Sequence, residues 1–588
     1  MYKSQINRRL QIRKNRMQDS FIRSERHYLY QESKEFVDAF PQVSRYLSDL
    51  SADPDINRTL DGFTYLCALL NAKLEKEYPQ LTAGLMNMLW PNYLQPTPSM
   101  TMLQFKNSTN RTIDVPASAT VLSREKQDVD VQCKFTLTRD IHVSPFNITS
   151  ITQNINNQEI VINFEATEPV FLTKNEFNAL RLYCGSDLHS GYLIYLWLAE
   201  YLEEATLLVN DSEYTLRDLS FEPIGFKDIN AMFIYPKNTF SGYRLLHEYF
   251  CYPEGYLFCD INGIPDYFNK INANKFALRL TFQKPLPNTI RLHDELIKTN
   301  CAPVRNIFYY DCEPIILSGQ RTEYPLAIDY KNKDFYELFA INQVTGWFKD
   351  HYRDYALFDG FHHQVTYNKK QPSYYYYVNR YQEANDDQIN YTLSFVRDDE
   401  TIVHGQDEII SIKALCSNGD QAQSLRIGDI NVAGDDIPIG VSFSNIACPT
   451  KAMRPTLNAS LQWTTISSLA LNYHSLLNAK SLNQILQNYN FTTLYSHRAE
   501  KSLIKLLHSI VGFETNWISY PYEDLKVTGY ESTIYIEPSA FNNDGEMYLF
   551  GSVIAHFYSQ YAAVNSFHFL KLVNSLTSEV YQWKLMNI

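Results

Sequence analysis

The side chains best suited to chemistry are few and poorly grouped: the neighbours His247-Glu248 and His362-His363, the carboxylates Asp53 and Asp55, and nine cysteines. A histidine beside a glutamate can move a proton or hold a metal only where both reach one atom. The run through Tyr249-Phe250, closed by a turn at Pro253, reads as a strand, and neighbours on a strand point to opposite faces. His247 and Glu248 are therefore expected to be satisfied separately, with Glu248 buried against Arg244 or a backbone donor. His362-His363 lacks metal spacing and fits a surface loop. Asp53-Pro54-Asp55 reads as a helix start: a capping carboxylate, a proline in the first turn, and a second carboxylate at the positive end of the dipole. No two cysteines lie closer than eight residues, so no CxxC pair exists for zinc or redox work. GxxxxGK[ST], GxGxxG, GxSxG, HExxH and the EF-hand loop are all missing. The expectation is a protein that is not an enzyme, with no catalytic, cofactor-binding or metal-ligating residue.

Bulk composition narrows the class further. A chain of 588 residues exceeds one hydrophobic core, so two to four domains are expected. Apolar residues at 45% and charged residues at 20% are an ordinary globular balance. The 43 Tyr and 34 Phe fit either many strands or extensive partner surface, and both readings stay open. Net charge is −13, yet residues 1–26 carry eight cations against Asp19 and Glu25. An acidic body with one basic arm disfavours a general nucleic-acid role. Leu10, Met17 and Phe21 interrupt the charges at roughly helical spacing, so the arm is expected to be a helix docked on protein. Scattered thiols, no apolar h-region and no apolar run long enough to span a bilayer predict a cytoplasmic protein.

Along the chain the texture changes twice. Residues 1–100 read as a helical region, with Ile56, Leu60, Phe63, Cys67, Leu70 and Leu74 forming one stripe. Short alternating or apolar runs, among them Met102–Phe105, Val131–Phe135, Leu193–Leu198 and Tyr374–Tyr377, read as strands. A proline-rich stretch at 284–288 divides them into β-rich domains 101–288 and 289–460. Residues 461–588 read as α+β, ending in a strongly amphipathic helix with two ridges, Leu549-Val553-Phe557 and Phe550-Ile554-Tyr558.

Five groups of residues together resemble the TssF family, also called VasA or ImpG. The most specific runs from Asp53-Pro54-Asp55 and Gly62-Phe63 through Tyr78-Pro79-Gln80-Leu81-Thr82 to Trp90-Pro91-Asn92-Tyr93-Leu94 and Pro96–Met100. Others are Cys133-Lys134-Phe135, then Pro223-Ile224-Gly225-Phe226 with Ser241-Gly242-Tyr243-Arg244-Leu245-Leu246-His247-Glu248-Tyr249-Phe250 and Pro253. The remaining ones are Asn300–Val304, which includes Pro303, and Gly551-Ser552-Val553 with Asn565-Ser566-Phe567. Where the family has Cys-Thr-Asn, this chain has Cys416-Ser417-Asn418.

The resemblance implies an α+β multidomain fold, similar to wedge proteins of contractile phage baseplates, with a helical N-terminal region and β-rich middle domains. It implies a structural subunit of the type VI secretion baseplate wedge, two copies joining one TssG-type subunit. A TssK-type adaptor, a TssE-type sheath initiator, the spike protein and neighbouring wedges are the further partners it implies. The machine docks at the inner membrane, so membrane contact would be indirect. A wedge or tail protein of a phage or other contractile device is the neighbouring alternative. A carbohydrate- or host-binding β-protein, and a nucleic-acid binder using the basic arm, are alternatives of other classes.

Overall fold

The computed structural model describes residues 79–125, 131–154, 156–171, 180–210, 212–216, 220–236, 239–262, 272–319, 321–348, 351–358, 374–382, 389–397, 408–455, 459–469, 476–489, 493, 496–522, 525–563 and 565–587. Asp53, Pro54, Asp55, Gly62, Phe63, the basic arm and His362-His363 lie outside them. The chain forms two compact units, residues 1–86 with 457–463, and residues 87–456 with 464–588. In the first, the Thr82 hydroxyl donates to Gln462 Oε1 at 2.9 Å, joining positions far apart in sequence.

The second unit is strand-rich, because its short runs alternate at a period of two. Ile141–Val143 is buried, exposed, buried, and Glu408–Ser417 begins the same way. Six antiparallel strands form one sheet in the order Ile430–Ala433, Thr120–Ser123, Lys134–Leu137, Cys301–Arg305, Met100–Asn107, Val441–Asn445. Leu103, Phe105, Phe135, Leu137 and Val304 fill its core. The division expected at 288–289 runs through this sheet, since its strands come from both sides. The prolines at 285 and 287 mark a loop, and pairing between distant strands leaves no local signal. Pro303 stands opposite Met102, and pairing with Lys134–Leu137 begins only at Val304. Its missing N–H therefore breaks no ladder bond on that side, and its carbonyl accepts from the Thr138 hydroxyl at 3.0 Å.

A second large sheet has eight strands, with Glu408–Ser417 paired to Glu337–Phe348, then His351–Leu357, Tyr374–Gln382 and Ile389–Arg397. The tyrosine run expected as a strand lies here, with Tyr375 and Tyr376 both buried. Towards the C-terminus, Ile510–Tyr522, Leu525–Ile536, Ser566–Asn574 and Val580–Asn587 form a four-stranded sheet.

Helices lie between these sheets, and two differ from expectation. Leu193–Leu198 belongs to no strand: Leu188–Leu196 is a helix that continues as a π turn over Trp197–Tyr201. Asp187 caps it, accepting from Ser190 Oγ at 2.7 Å. Burial on every side removed the amphipathic period that distinguishes a helix from a buried strand. The helix Asp544–Ser559 is present, but it is buried almost all round rather than strongly amphipathic. It packs along Leu188–Leu196, where a side chain on Gly545 would meet the Tyr192 carbonyl oxygen at 2.1 Å.

Candidate functional site

Ser241–Cys251 forms an eleven-residue helix, correcting the strand expected of Tyr249-Phe250. Gly242 to Tyr249 are all buried, and three of them are polar, which broke the apolar stripe. His247 and Glu248 consequently point to neighbouring sectors of a helix, not to opposite faces of a strand.

Glu248 is fully buried and receives four donors. Its Oε1 accepts from the Met232 and Phe233 backbone N–H groups at 2.8 and 3.3 Å. Its Oε2 accepts from Arg244 Nη1 at 3.1 Å and from the Tyr256 hydroxyl at 3.5 Å. Arg244, one turn earlier, donates to the carbonyls of Gly225 at 3.0 Å and Phe226 at 2.6 Å. One helix face therefore ties down the whole segment 225–233. Burial pushes the Glu248 carboxyl up, and the Arg244 guanidinium and the two N–H groups pull it back.

Two more guanidiniums reach the same place. Arg305 Nη1 donates to the Met232 carbonyl at 3.1 Å, joining the six-stranded sheet to the helix. Arg139 Nη2 donates to the Gly255 carbonyl at 3.3 Å, and its guanidinium lies 5.0 Å from the centre of the Phe258 ring. Burial lowers both to about 10, so both keep their charge at neutral pH. Sequence reasoning missed them. The available signal was a lone arginine ending each of two apolar runs, Phe135-Thr136-Leu137-Thr138-Arg139 and Cys301-Ala302-Pro303-Val304-Arg305.

The motif Trp90-Pro91-Asn92-Tyr93 meets the other face of this helix. Pro91 opens a 3-10 turn, Tyr93 is buried, and Trp90 stacks on Tyr489 at 4.7 Å. Tyr243 and His247 approach Trp90 at 5.7 and 5.8 Å, and Asn92 Nδ2 donates to the Ile234 carbonyl at 2.7 Å. His247 contacts the Thr97 and Tyr235 hydroxyls at 3.3 and 3.2 Å, and burial drives its pKa down to about 3, leaving it neutral. Tyr249 faces Phe550 of the long C-terminal helix, with Phe250 beside it. Gly242 lies in the helix's first turn. Asn565 is remote from this cluster, at φ 61° in the turn before Ser566–Asn574.

Gly225 sits at φ 116°, and a Cβ there would stand 2.9 Å from the Tyr256 ring. Gly225→Ala is expected to lower stability by about 1–3 kcal/mol, measured by urea denaturation. An unchanged midpoint would show that the segment tolerates the side chain.

With Glu248 fully enclosed and His247 neutral and nearly so, this cluster acts as a clamp between helix, loop and sheet. Among the described residues no group of His, Cys, Asp and Glu is arranged to hold a metal ion, and no helix is long and apolar enough to cross a membrane. The accessible feature lies elsewhere. On the eight-stranded sheet Ile316, Ile409, Trp347 and Tyr352 stand in direct register across four strands. Their exposures are 62%, 49%, 53% and 68%, while their neighbours Ile315, Leu317 and Ile410 face the core. Such a row makes this side of the sheet a candidate contact face.

The sequence profile described as "Type VI secretion system, TssF" matches residues 16–587. The chain belongs to the TssF family. The resemblance read from its motifs is thereby confirmed. One TssF relative, the type VI secretion system component TssF1 of Pseudomonas aeruginosa, is 24% identical over 617 residues, spanning 96% of this chain and 97% of that protein. A chain from the cryo-electron microscopy structure of the type VI TssK-TssF-TssG baseplate subcomplex shares the fold at TM-score 0.75 and 23% identity, covering 91% of this chain and 99% of that one. A chain of a type VI baseplate complex does so at TM-score 0.60 and 19% identity, covering 96% and 99%.

Proposed function

We propose that this TssF-family chain is a structural subunit of the type VI baseplate wedge, a platform around the spike on which tube and sheath assemble. The observation that carries the reading is the family match over nearly the whole length. The fold shared with a chain of a TssK-TssF-TssG subcomplex supports it. In this reading two copies join one TssG-type subunit, a TssK-type adaptor links the wedge to the membrane complex, and the assembly works on the cytoplasmic side of the inner membrane. TssE-type, spike and neighbouring-wedge contacts complete the set. The clamp around Glu248 gives each copy a rigid body, and the apolar row through Trp347 gives it surface that benefits from cover.

Expressed alone, the chain is expected to self-associate, and co-expression with its TssG-type neighbour is expected to yield a discrete complex. Native mass measurement should then find two copies of the 68.5-kDa chain per partner. A monodisperse monomer at micromolar concentration that ignores the partner would refute the scaffold role.

A further inference from the structure

The helix His497–Ser509 carries its cations on one side. Ser496 caps it, its hydroxyl accepting from the Ala499 N–H at 3.4 Å, and Leu503, Leu506 and Ser509 are buried beneath it. Arg498, Lys501 and Lys505 are exposed and follow one another at spacings of three and four, so they form one stripe about 10 Å long on the outer face. None of the three forms an ion pair among the described residues, and the Glu500 carboxylate stands 3.3 Å from His497 Nδ1 instead. Like charges one turn apart repel, and Arg498 lies in the first turn, at the positive end of the helix dipole. No ion pair offsets these costs. A chain with 65 acidic residues supplies only Glu500 to the whole sequence between Asp436 and Glu514. Ile504 stands beside the stripe, three positions from Lys501, at 48% exposure.

We propose that this face docks an acidic amphipathic helix of a partner protein, its carboxylates meeting Arg498, Lys501 and Lys505 and one apolar side chain covering Ile504. The charge of the stripe calls for an acidic occupant, and the one-turn spacing of a second helix reproduces its period. Ile504 would have no counterpart on a phosphate backbone. Leu503 and Leu506 are committed to the interior, so the helix has no apolar face to offer a lipid surface. The inference stands on this helix alone and does not require the baseplate role, so its failure would leave that reading intact.

The test is fluorescence anisotropy of a labelled synthetic helix of about 18 residues, with glutamates on one stripe at that spacing and leucines beside them. It is titrated with the full-length chain, co-purified with its TssG-type neighbour where the chain does not stay in solution alone. Saturable binding is expected, weakening as salt is raised. The combined change Arg498→Glu, Lys501→Glu and Lys505→Glu should weaken it roughly tenfold or more, whereas Lys501→Arg with Lys505→Arg should retain it. Ile504→Ser should weaken it by a few-fold, and a peptide with the same glutamates distributed around the helix should bind less well. These side chains are all exposed, so the variants are expected to fold as the parent does. The proposal is overturned by no saturable binding, by binding indifferent to the charge reversal, or by a DNA duplex or anionic vesicles held through these cations more tightly than the peptide.

Discussion

Glu248→Ala is expected to destabilise the second unit by about 3–5 kcal/mol, a large part of the stability of an ordinary domain. The carboxylate is the shared acceptor for Arg244 and for the Met232 and Phe233 N–H groups, and it is fully buried. Removing it leaves those donors unpaired and three guanidiniums without their enclosed anion, which costs more than the pair contributes when intact. Glu248→Gln keeps an acceptor oxygen for the loop but loses the charge, so its loss should be smaller than that of alanine. Arg244→Met combined with Glu248→Leu should cost less than the sum of the single changes, because neither partner is then left as an orphan charge. Urea denaturation of the four chains measures all of this. An alanine variant within about 1 kcal/mol of the parent would mean that the clamp carries little stability.

Stability should also fall steeply in mild acid. His247 and His568 are buried and His556 is partly buried, and desolvation lowers their pKa values to about 3, about 3 and about 4 respectively. For His556 the Arg244 guanidinium adds to the effect. The unfolded chain binds a proton on each ring below about pH 6.5, whereas the folded chain refuses it. Their contribution is therefore complete above pH 6.5 and is lost progressively as pH falls towards 4 and 3. At pH 5 the loss is about 2 kcal/mol per histidine. Glu248, Glu200, Glu254 and Asp544 work in the opposite sense, since burial raises their folded pKa values and acid relieves a buried charge, while the lowered carboxyls of Glu222, Asp329 and Glu579 act with the histidines. Unfolding midpoints at pH 7.5, 6 and 5 should decline accordingly. A flat profile across that range would show that these rings are protonated or solvated in the folded protein.

Much of the architecture was legible because it is written locally. Short runs such as Met102–Phe105 and Tyr374–Tyr377 announced strands, and the Trp90–Tyr93 and Gly225–Pro253 motifs carried the TssF resemblance. Where burial is complete, the local code fails. Leu188–Leu196 is enclosed on nearly every side and shows no polar face, whereas Ser241–Cys251 carries Arg244, His247 and Glu248 at helical spacing but buries them, so its polar face is not the solvent face that ordinarily identifies a helix. Arg139 and Arg305 reach the segments around Glu248 from positions far from it in sequence, donating to the Gly255 and Met232 carbonyls, and only the assembled fold brings them there. The sheet pairings themselves are invisible residue by residue, which is why a proline-rich loop near 288 looked like a domain border.

That interleaved six-stranded sheet bears on how the protein is made. Met100–Asn107 finds one neighbour at Cys301–Arg305 and the other at Val441–Asn445. During translation at ~5–20 residues per second, the first partner emerges roughly 10–40 s after it, and the second later still. Throughout that interval Met102, Leu103 and Phe105, all destined for the interior, have no sheet to enter. Such high contact order slows folding and exposes apolar strands to their counterparts on neighbouring polysomes. The yield of native protein should thus depend more on holdase chaperones and on synthesis rate than its finished stability would indicate, and slowing initiation should favour the soluble form.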